Sequence, residues 1–258
     1  MEKLSQNIIK FDPLLNNLNA ICKIIIKNKI MGIGFFCNIN FNHNITNKEL
    51  IVLFTNNHIL KDEDLILDSE FEIEYLKKRE TKKIQLIKKE KITIKINEKR
   101  LVFTDSLLDY VCIEIFDEEI LKNINFLEID DEINTNNPFQ EYINQNCLIT
   151  QNINGIFDIN KGPIVDINSK NTVFYKMLTE HDSSGSPIIL SKNFKIIGID
   201  FGREKGNNFK KGMFIKPILK DIQFKYEKVF TFREQIKYKN RLIDSYNKKQ
   251  FMLNKLNW

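Results

Sequence analysis

Apolar residues recur along the chain in short runs, and many of these runs alternate with polar residues at a period of two. The segments EFEIEYL (70–76) and KITIKI (91–96) alternate Glu, Lys or Thr with apolar side chains, which is the pattern of half-exposed β-strands. Other apolar runs, such as AICKIII (20–26) and ELIVLFTN (49–56), are bounded by polar residues. Many short strands separated by turn signals predict an all-β protein built from a barrel or a sandwich.

Polar stretches divide this strand pattern into segments. Residues 1–19 precede the first strand-like run, and an acidic, Asn-rich stretch over 121–139 separates two strand-rich segments at 20–120 and 140–220. We therefore expect two β domains joined by a linker. The remaining segment, 221–258, contains no glycine and carries apolar residues at a helix-like spacing. Those apolar residues are Phe232, Ile236, Ile243 and Tyr246.

The basic character of the chain is concentrated in the tail at 221–258. This segment has nine Lys and Arg against four Asp and Glu, which accounts for the whole net charge of +5. The rest of the chain is near neutral, so no specific nucleic-acid binding is expected of it. The tail is either a solvated helix face or a contact for an acidic partner, RNA or an anionic membrane.

The overall composition excludes several classes of protein. With 42% hydrophobic and 28% charged residues, the 258-residue chain is typical of a globular protein. We find no uncharged apolar run of about 18 residues and no apolar core of a signal peptide, so we expect no transmembrane segment and an intracellular location, in the cytoplasm or nucleus. The four cysteines form no C-x-x-C pair and there are only three histidines. We therefore expect reduced, buried thiols, no metal site and no cofactor.

One polar loop raises the question of catalysis. In HDSSGSPIIL (181–190), small polar residues precede an apolar strand, so Ser184 is either an ordinary turn residue or a presented nucleophile. A nucleophilic serine needs a base, and in IVLFTNNHIL an apolar strand ends in Thr-Asn-Asn before His58 opens the next turn. Asp109, at the start of the apolar run of LDYVCIEI, is a carboxylate that could orient an imidazole.

These three segments resemble the His, Asp and Ser blocks of the trypsin/chymotrypsin-like serine peptidases. The order His58, Asp109, Ser184 is the order of that family, unlike that of subtilisins or α/β-hydrolases. Three further segments resemble the strands around these blocks: MGIGFFCNI, KGPIVDI and IIGIDFG. The resemblance covers about residues 20–220 and is strongest to the non-secreted, disulfide-free members.

The resemblance implies a fold and a mechanism. It implies two chymotrypsin-like six-stranded β-barrels, the first carrying His58 and Asp109 and the second carrying Ser184, with a C-terminal helix. It implies that His58 accepts the proton of Ser184, that Asp109 orients His58, and that the backbone N–H groups of Asp182 and Ser184 form the oxyanion hole. Gly185 would permit the tight turn after the nucleophile.

The Ser block departs from the family at three positions. The usual sequence is G-D-S-G-G-P, whereas this chain has D-S-S-G-S-P. Ser183 replaces the Asp that pairs with a newly cut N-terminus in secreted members, which implies a site formed without cleavage. Ser186 replaces a Gly. Asp182 replaces the oxyanion-hole Gly, and an inward carboxylate there would oppose a developing oxyanion. Ser183 is a second candidate nucleophile, although it breaks the Ser-Gly-x-Pro spacing.

The resemblance also places four residues around a substrate pocket. Leu178, six residues before Ser184, would lie at the base of the pocket, and Thr179 and His181 would line it. Asp200 would lie on the pocket wall, where it would select Lys or Arg at the cleaved position. The alternative is that Asp200 points away from the pocket and bonds the backbone.

Three functions follow, in order of preference. The first is a serine endopeptidase that cleaves polypeptides through an acyl-enzyme intermediate, with its own chain among the candidate substrates. The second is an inactive protease-fold module that binds peptides or a protein partner, since a fold hosts inactive relatives. The third is a nucleic-acid adaptor that binds through the basic tail at 221–258.

Overall fold

The structure is a computed structural model. It describes residues 18–42, 47–79, 86–134, 138–153, 156–177, 183–202 and 209–229. These residues belong to two compact units, one ending at Ile218 and the other beginning at Leu219. Among the described residues, no helix has the length and apolar content that a membrane crossing requires.

The first half of the chain forms one antiparallel sheet of seven strands. The strands are β1 (Ile21–Ile26), β2 (Lys29–Asn42), β3 (Asn47–Thr55), β4 (Glu70–Arg79), β5 (Leu86–Lys95), β6 (Val102–Asp105) and β7 (Tyr110–Glu114). Their order across the sheet is β5-β4-β1-β2-β3-β7-β6. The alternation predicted for EFEIEYL is confirmed, since Phe71, Ile73 and Tyr75 are buried and the glutamates between them are not.

The second half of the chain forms a closed barrel of six strands. The strands are β8 (Asn146–Ile153), β9 (Ile156–Ile167), β10 (Thr172–Tyr175), β11 (Pro187–Leu190), β12 (Ile196–Asp200) and β13 (Lys210–Phe214). They close in the order β10-β13-β12-β11-β8-β9. β11 and β12 are buried along their whole length, as expected for continuous apolar runs that face the core on both sides. The six-stranded barrel expected in this half is confirmed.

A closed barrel in the first half is not confirmed, because the seven-stranded sheet is open. Its outermost strands are β5 and β6, and β6 has only four residues. The side chain of Arg100 lies between the ends of two strands: Nε donates to the carbonyl of Lys95 over 3.1 Å, and Nη1 donates to the carbonyl of Glu114 over 2.6 Å. The guanidinium therefore satisfies carbonyl groups at the end of β5 and β7 that no ladder satisfies there.

The predicted linker at 121–139 is largely ordered. It overlaps helix α1 (Glu118–Asn123) and helix α2 (Pro138–Tyr142), with a 3₁₀ turn between them. A further helix, α3, covers 215–229. The mostly β architecture with a C-terminal helix agrees with the predicted fold class. The apolar positions predicted for the tail helix, from Phe232 onward, lie outside the described residues.

Candidate active site

His58 lies on a turn that begins where β3 ends. The strand ends at Thr55, and the N–H groups of Ile59 and Leu60 both donate to the carbonyl of Asn56 over 3.2 Å. Ile59 and Leu60 are buried, whereas the His58 side chain is 47% exposed. The apolar residues therefore anchor the turn and leave the imidazole accessible.

Asp109 approaches this turn through the pairing of β3 with β7. Thr55 lies opposite Val111 in the antiparallel ladder, so the residues just before Val111 fall beside the turn that follows Thr55. Asp109 ends the connection between β6 and β7 with a φ of 49°, in the left-handed region. Asp is one of the few residues other than glycine that adopt this conformation routinely.

Two hydrogen bonds join Asp109 to His58. Oδ1 of Asp109 accepts the backbone N–H of His58 at 3.0 Å, and Oδ2 lies 2.7 Å from Nδ1 of the ring. An ionised carboxylate can only accept, so Nδ1 carries the proton in this contact and Nε2 of a neutral ring keeps its lone pair. The buried Asn56 holds the pair in place, because its Nδ2 donates to the Asp109 carbonyl over 2.9 Å.

Ser184 lies in the short loop 183–186 that leads into β11. The next residue, Gly185, has a φ of 84°, and a Cβ atom there would come within 1.9 Å of the Ile33 carbonyl oxygen and 2.7 Å of Thr55 Oγ1. The predicted requirement for glycine at this turn therefore has two physical causes, the left-handed backbone and the close approach of β2.

Strand β2 joins the Ser184 loop to the His58 turn. The N–H of Ile33 donates to the carbonyl of Ser184 over 2.9 Å, and the carbonyl of Ile33 accepts the Thr55 hydroxyl at 2.8 Å. Thr55 precedes His58 by three residues. One residue of β2 thus holds both the serine loop and the end of the strand that carries the histidine.

The Ser184 side chain is half-buried and close to the end of β12. Its Oγ donates to the carbonyl of Phe201 over 3.1 Å. A hydroxyl donates one hydrogen bond at a time. Proton transfer to an imidazole would therefore require the hydroxyl to rotate away from Phe201.

The carboxylate of Asp200 is enclosed within the barrel. The residue is completely buried, and its carboxylate accepts the hydroxyl of Tyr175 and, over 2.5 Å, that of Ser183. The ammonium of Lys210, itself only 3% exposed, donates to Ser183 Oγ over 2.8 Å. Burial raises the pKa of Asp200 to about 6, although Lys210, the two hydroxyls and the backbone N–H of Gly202 all favour the charged form. The described contacts of the Asp200 carboxylate are thus with barrel and loop side chains, and its place on a pocket wall stays a prediction.

The two other serines of the block are structural in this arrangement. Ser183 is completely buried with its hydroxyl engaged on both sides, so it is a poor candidate for the nucleophile. Ser186, where the family has a Gly, is also buried, and its Oγ accepts the backbone N–H of Thr150 at 3.0 Å. Its hydroxyl therefore fastens the loop to β8.

Four of the residues predicted for the site lie outside the described part of the chain. They are the pocket residues Leu178, Thr179 and His181 and the oxyanion-hole residue Asp182. All four cysteines are buried free thiols, and burial raises the pKa of each. Among the described residues, no group of three or more His, Cys, Asp and Glu is placed to hold a metal ion.

Sequence reasoning missed Asn56, Tyr175 and Lys210. Asn56 lies two residues before the predicted base and precedes a turn, so its position was a usable signal. Tyr175 lies directly opposite Lys210 in the pairing of β10 with β13, and this register is visible only in the fold.

Solved structures resemble the fold of this chain. The structure of Deg5 matches with a TM-score of 0.53 and 12% identity over 80% of this chain and 89% of that chain. The structure of the serine endoprotease from Yersinia pestis matches with a TM-score of 0.53 and 14% identity over 81% of this chain and 64% of that chain. The chain has a serine-protease fold. No protein-family model and no curated protein sequence matches it.

Proposed function

We propose that this chain is a serine endopeptidase in which His58, Asp109 and Ser184 form the catalytic triad. The observation that carries the proposal is the 2.7 Å contact between Asp109 Oδ2 and His58 Nδ1, on a turn fastened through Ile33 to the Ser184 loop. Structural similarity to a serine endoprotease supports the same reaction class. The substrate class is polypeptide, and autolysis is one case of it.

The proposed reaction uses each residue at a stated atom. Oγ of Ser184 forms a bond to the carbonyl carbon of the scissile peptide, and its proton passes to Nε2 of His58. Asp109 stabilises the resulting imidazolium through Nδ1–H. Collapse of the tetrahedral intermediate breaks the C–N bond, and the leaving amine takes the proton from His58. Water then repeats these steps on the acyl-enzyme, which releases the acid and restores Ser184.

The proposed site includes an oxyanion hole beside Ser184. We assign it to the backbone N–H groups of Ser184 and Asp182, the second of which lies outside the described residues. The burial of Asp200 and its bonds to Tyr175 and Ser183 give no support to a preference for Lys or Arg. The proposed function therefore includes no such preference.

A second candidate function is an inactive protease-fold module that binds peptides or a protein partner. The specific observation in its favour is the bond from Ser184 Oγ to the Phe201 carbonyl, because a serine held there does not give its proton to a base. The two candidates differ in whether Ser184 is activated.

A fluorophosphonate probe, which reacts with activated serines, distinguishes these candidates. We expect stoichiometric labelling of the wild type on the peptide that contains Ser184, and none of Ser184→Ala. We expect His58→Ala and Asp109→Asn to label more slowly by about 10³- to 10⁴-fold. Ser191→Ala, a serine just after β11, is the control and should label at the wild-type rate.

The outcomes separate the two functions. Absence of labelling in folded wild type would contradict the peptidase and favour the binding module. Labelling that persists in Ser184→Ala would overturn the assignment of the nucleophile. Equal labelling of wild type and Asp109→Asn would overturn the role of Asp109.

A further inference from the structure

A buried chain of polar groups lies beneath the serine loop, and the reaction proposed above does not use it. It consists of Lys210, Ser183, Asp200 and Tyr175, none of which the proposed chemistry touches. A buried ammonium and carboxylate are costly to maintain unless they compensate each other and their hydrogen bonds are satisfied. Because the buried ammonium and carboxylate lie beside the candidate nucleophile, we expect them to act on the serine loop that carries it.

The strand order of the barrel brings these groups together. β10, β13 and β12 are neighbours, with Tyr175 opposite Lys210 and Asp200 opposite Gly212. Lys210 and Gly212 are two residues apart on β13, so the two positions face the same side of the barrel wall. Asp200 lies opposite Gly212, so Lys210 and Asp200 project to the same side. Ser183 lies between the two charges, accepting from Lys210 at 2.8 Å and donating to Asp200 at 2.5 Å.

The backbone of the serine loop is bonded to the same strand residue. The N–H of Gly185 donates to the carbonyl of Asp200 over 3.0 Å, and the N–H of Asp200 donates to the carbonyl of Ser186 over 2.8 Å. The N–H of Ser186 closes the turn on the carbonyl of Ser183 over 2.9 Å. The position of Asp200 therefore sets the conformation of the residues on both sides of Ser184.

We propose that Lys210 is a positioning residue whose buried ammonium, acting through Ser183 and Asp200, holds loop 183–186 in the conformation that presents Ser184. This inference rests on the proposed function, since it concerns how that nucleophile is aimed. Because the ammonium belongs to a residue of the barrel itself, the loop needs no charge released by cleavage of the chain.

The electrostatics of the network agree with this role. Among the described residues, the groups that face the Asp200 carboxylate are Tyr175 from β10, Lys210 from β13, Ser183 from the loop, the buried thiol of Cys147 from β8 and the backbone N–H of Gly202. Burial raises the pKa of Asp200, and after burial Lys210 has the largest influence, in the opposite direction. Removal of the ammonium would leave the ionised carboxylate with its hydrogen bonds but without a buried counter-charge.

The test compares fluorophosphonate labelling rates of Ser184 in four proteins between pH 6 and 9. They are the wild type, Lys210→Met, the double variant Asp200→Asn/Lys210→Met, and Lys211→Met. Lys211 is the matched control, because it is the next residue of β13, is not buried, and lies over the ring of Phe174 at 6.0 Å.

We expect Lys210→Met to label about 10- to 100-fold more slowly than wild type at pH 8, as for a displaced catalytic group. The deficit should grow as the pH rises, because the carboxylate then ionises without its ammonium. The double variant, which has no buried charge, should recover part of the rate, and Lys211→Met should remain within about twofold of wild type. A merely structural Lys210 would lower the melting temperature but leave the labelling rate of the folded protein and its pH profile unchanged, which would overturn the proposal.

Amide hydrogen exchange supplies a readout that does not depend on catalysis. We expect Lys210→Met to lose protection at the amides of Gly185, Ser186 and Asp200, and to keep it at Ile149 in β8. Wild type that is not labelled would contradict the proposed peptidase, and exchange would then decide the role of Lys210 alone. Unchanged protection at the three amides would show that Lys210 does not hold the loop.

Discussion

At the scale of single residues, two positive-φ positions frame the candidate site. Asp109, at φ 49°, presents its carboxylate to His58, and Gly185, at φ 84°, turns the chain after Ser184. A residue other than glycine held in this region costs free energy and persists only where surrounding contacts impose the conformation, as the side chain of Asn56 does at Asp109. Glycine adopts this region without that cost, and at position 185 the nearby carbonyl of Ile33 leaves no room for a Cβ atom.

Gly185→Ala should destabilise the fold and slow labelling of Ser184. The added Cβ would meet the Ile33 carbonyl oxygen at 1.9 Å, which is backbone and cannot rotate away. We expect a loss of about 3 kcal/mol or more in the free energy of unfolding, measured in urea. Asn28→Ala is the control for the left-handed backbone alone, since Asn28 has φ 63° in an exposed turn, and should cost about 1 kcal/mol. Equal losses in the free energy of unfolding for Gly185→Ala and Asn28→Ala would contradict a clash between the added Cβ and the Ile33 carbonyl.

The raised pKa of Asp200 predicts a pH-dependent stability. The usual pKa is 3.8 and the value in the fold is about 6, so between these pH values the folded state binds more protons than the unfolded state. The contribution of Asp200 is therefore fully present below about pH 4 and falls as the pH rises to about 6. The separation of the two pKa values corresponds to about 3 kcal/mol.

Unfolding of the wild type and Asp200→Asn in urea from pH 4 to pH 8 measures this contribution. We expect wild type to lose about 2 kcal/mol relative to Asp200→Asn between pH 4 and pH 6.5, and the difference to stay constant above that range. The other carboxylates cancel in the comparison because both proteins contain them. A difference that does not change with pH would show that the carboxylate ionises in the fold as easily as in water.

At the scale of secondary structure, the sequence predicts strands better than it predicts closure. Alternation placed Phe71 and Ile94 inward because strand periodicity is local. Whether two edge strands pair depends on contacts distant in sequence, and the first sheet stays open where Arg100 bonds the strand ends. The same limit applies to the two adjacent lysines of β13. Because both are lysines, the residue type does not show which of them is buried, and only the register of the strand decides that it is Lys210.

Arg100→Lys should destabilise the open edge of the first sheet. The Arg100 side chain is 2% exposed and also pairs with Asp117 at 2.9 Å, and a lysine cannot reproduce its planar set of donors. We expect a loss of about 2–4 kcal/mol in urea unfolding, since the carbonyls of Lys95 and Glu114 lose their donor.

The control for this variant is Lys122→Met. Lys122 pairs with Glu118 on α1 with both side chains largely exposed, so its loss should change stability by no more than about 0.5 kcal/mol. If Arg100→Lys lowers the free energy of unfolding by no more than the control does, water replaces the guanidinium as the donor to these carbonyls without loss of stability.

At the scale of the whole molecule, the segment predicted as a linker is bonded to both β halves. Leu127 forms a bridge with Cys37 of β2, and Ile129 forms a bridge with Ile196 of β12. The acidic, Asn-rich composition gave the impression of a solvated connection. That composition did not indicate that Asp130 is buried. Asp130 is only 1% exposed, and its carboxylate therefore depends on specific hydrogen-bond partners.

Asp130→Ala should weaken the attachment of this segment to the barrel. The Asp130 carboxylate accepts the Tyr142 hydroxyl at 3.0 Å, the Asn193 side-chain amide at 2.6 Å and the backbone N–H of Glu132 at 3.0 Å. Loss of the carboxylate leaves the buried Tyr142 hydroxyl without its acceptor, so we expect about 2 kcal/mol of destabilisation in urea. The neighbouring Asp131→Ala is the matched control: its side chain is 90% exposed and pairs with Lys195 at the surface, so it should cost at most about 1 kcal/mol.

The same variants test whether the two β halves unfold together. All of these contacts lie in the compact unit that ends at Ile218, so we expect wild type to unfold in one transition, with circular dichroism and amide exchange in β3 and β12 giving the same midpoint. In Asp130→Ala the exchange midpoints of β3 and β12 should separate, because the segment that bridges the two sheets has lost its buried anchor in the barrel. Coincident midpoints in Asp130→Ala, with stability lowered, would show that contacts between the sheets themselves, such as Ile33 with Ser184, are sufficient to couple them.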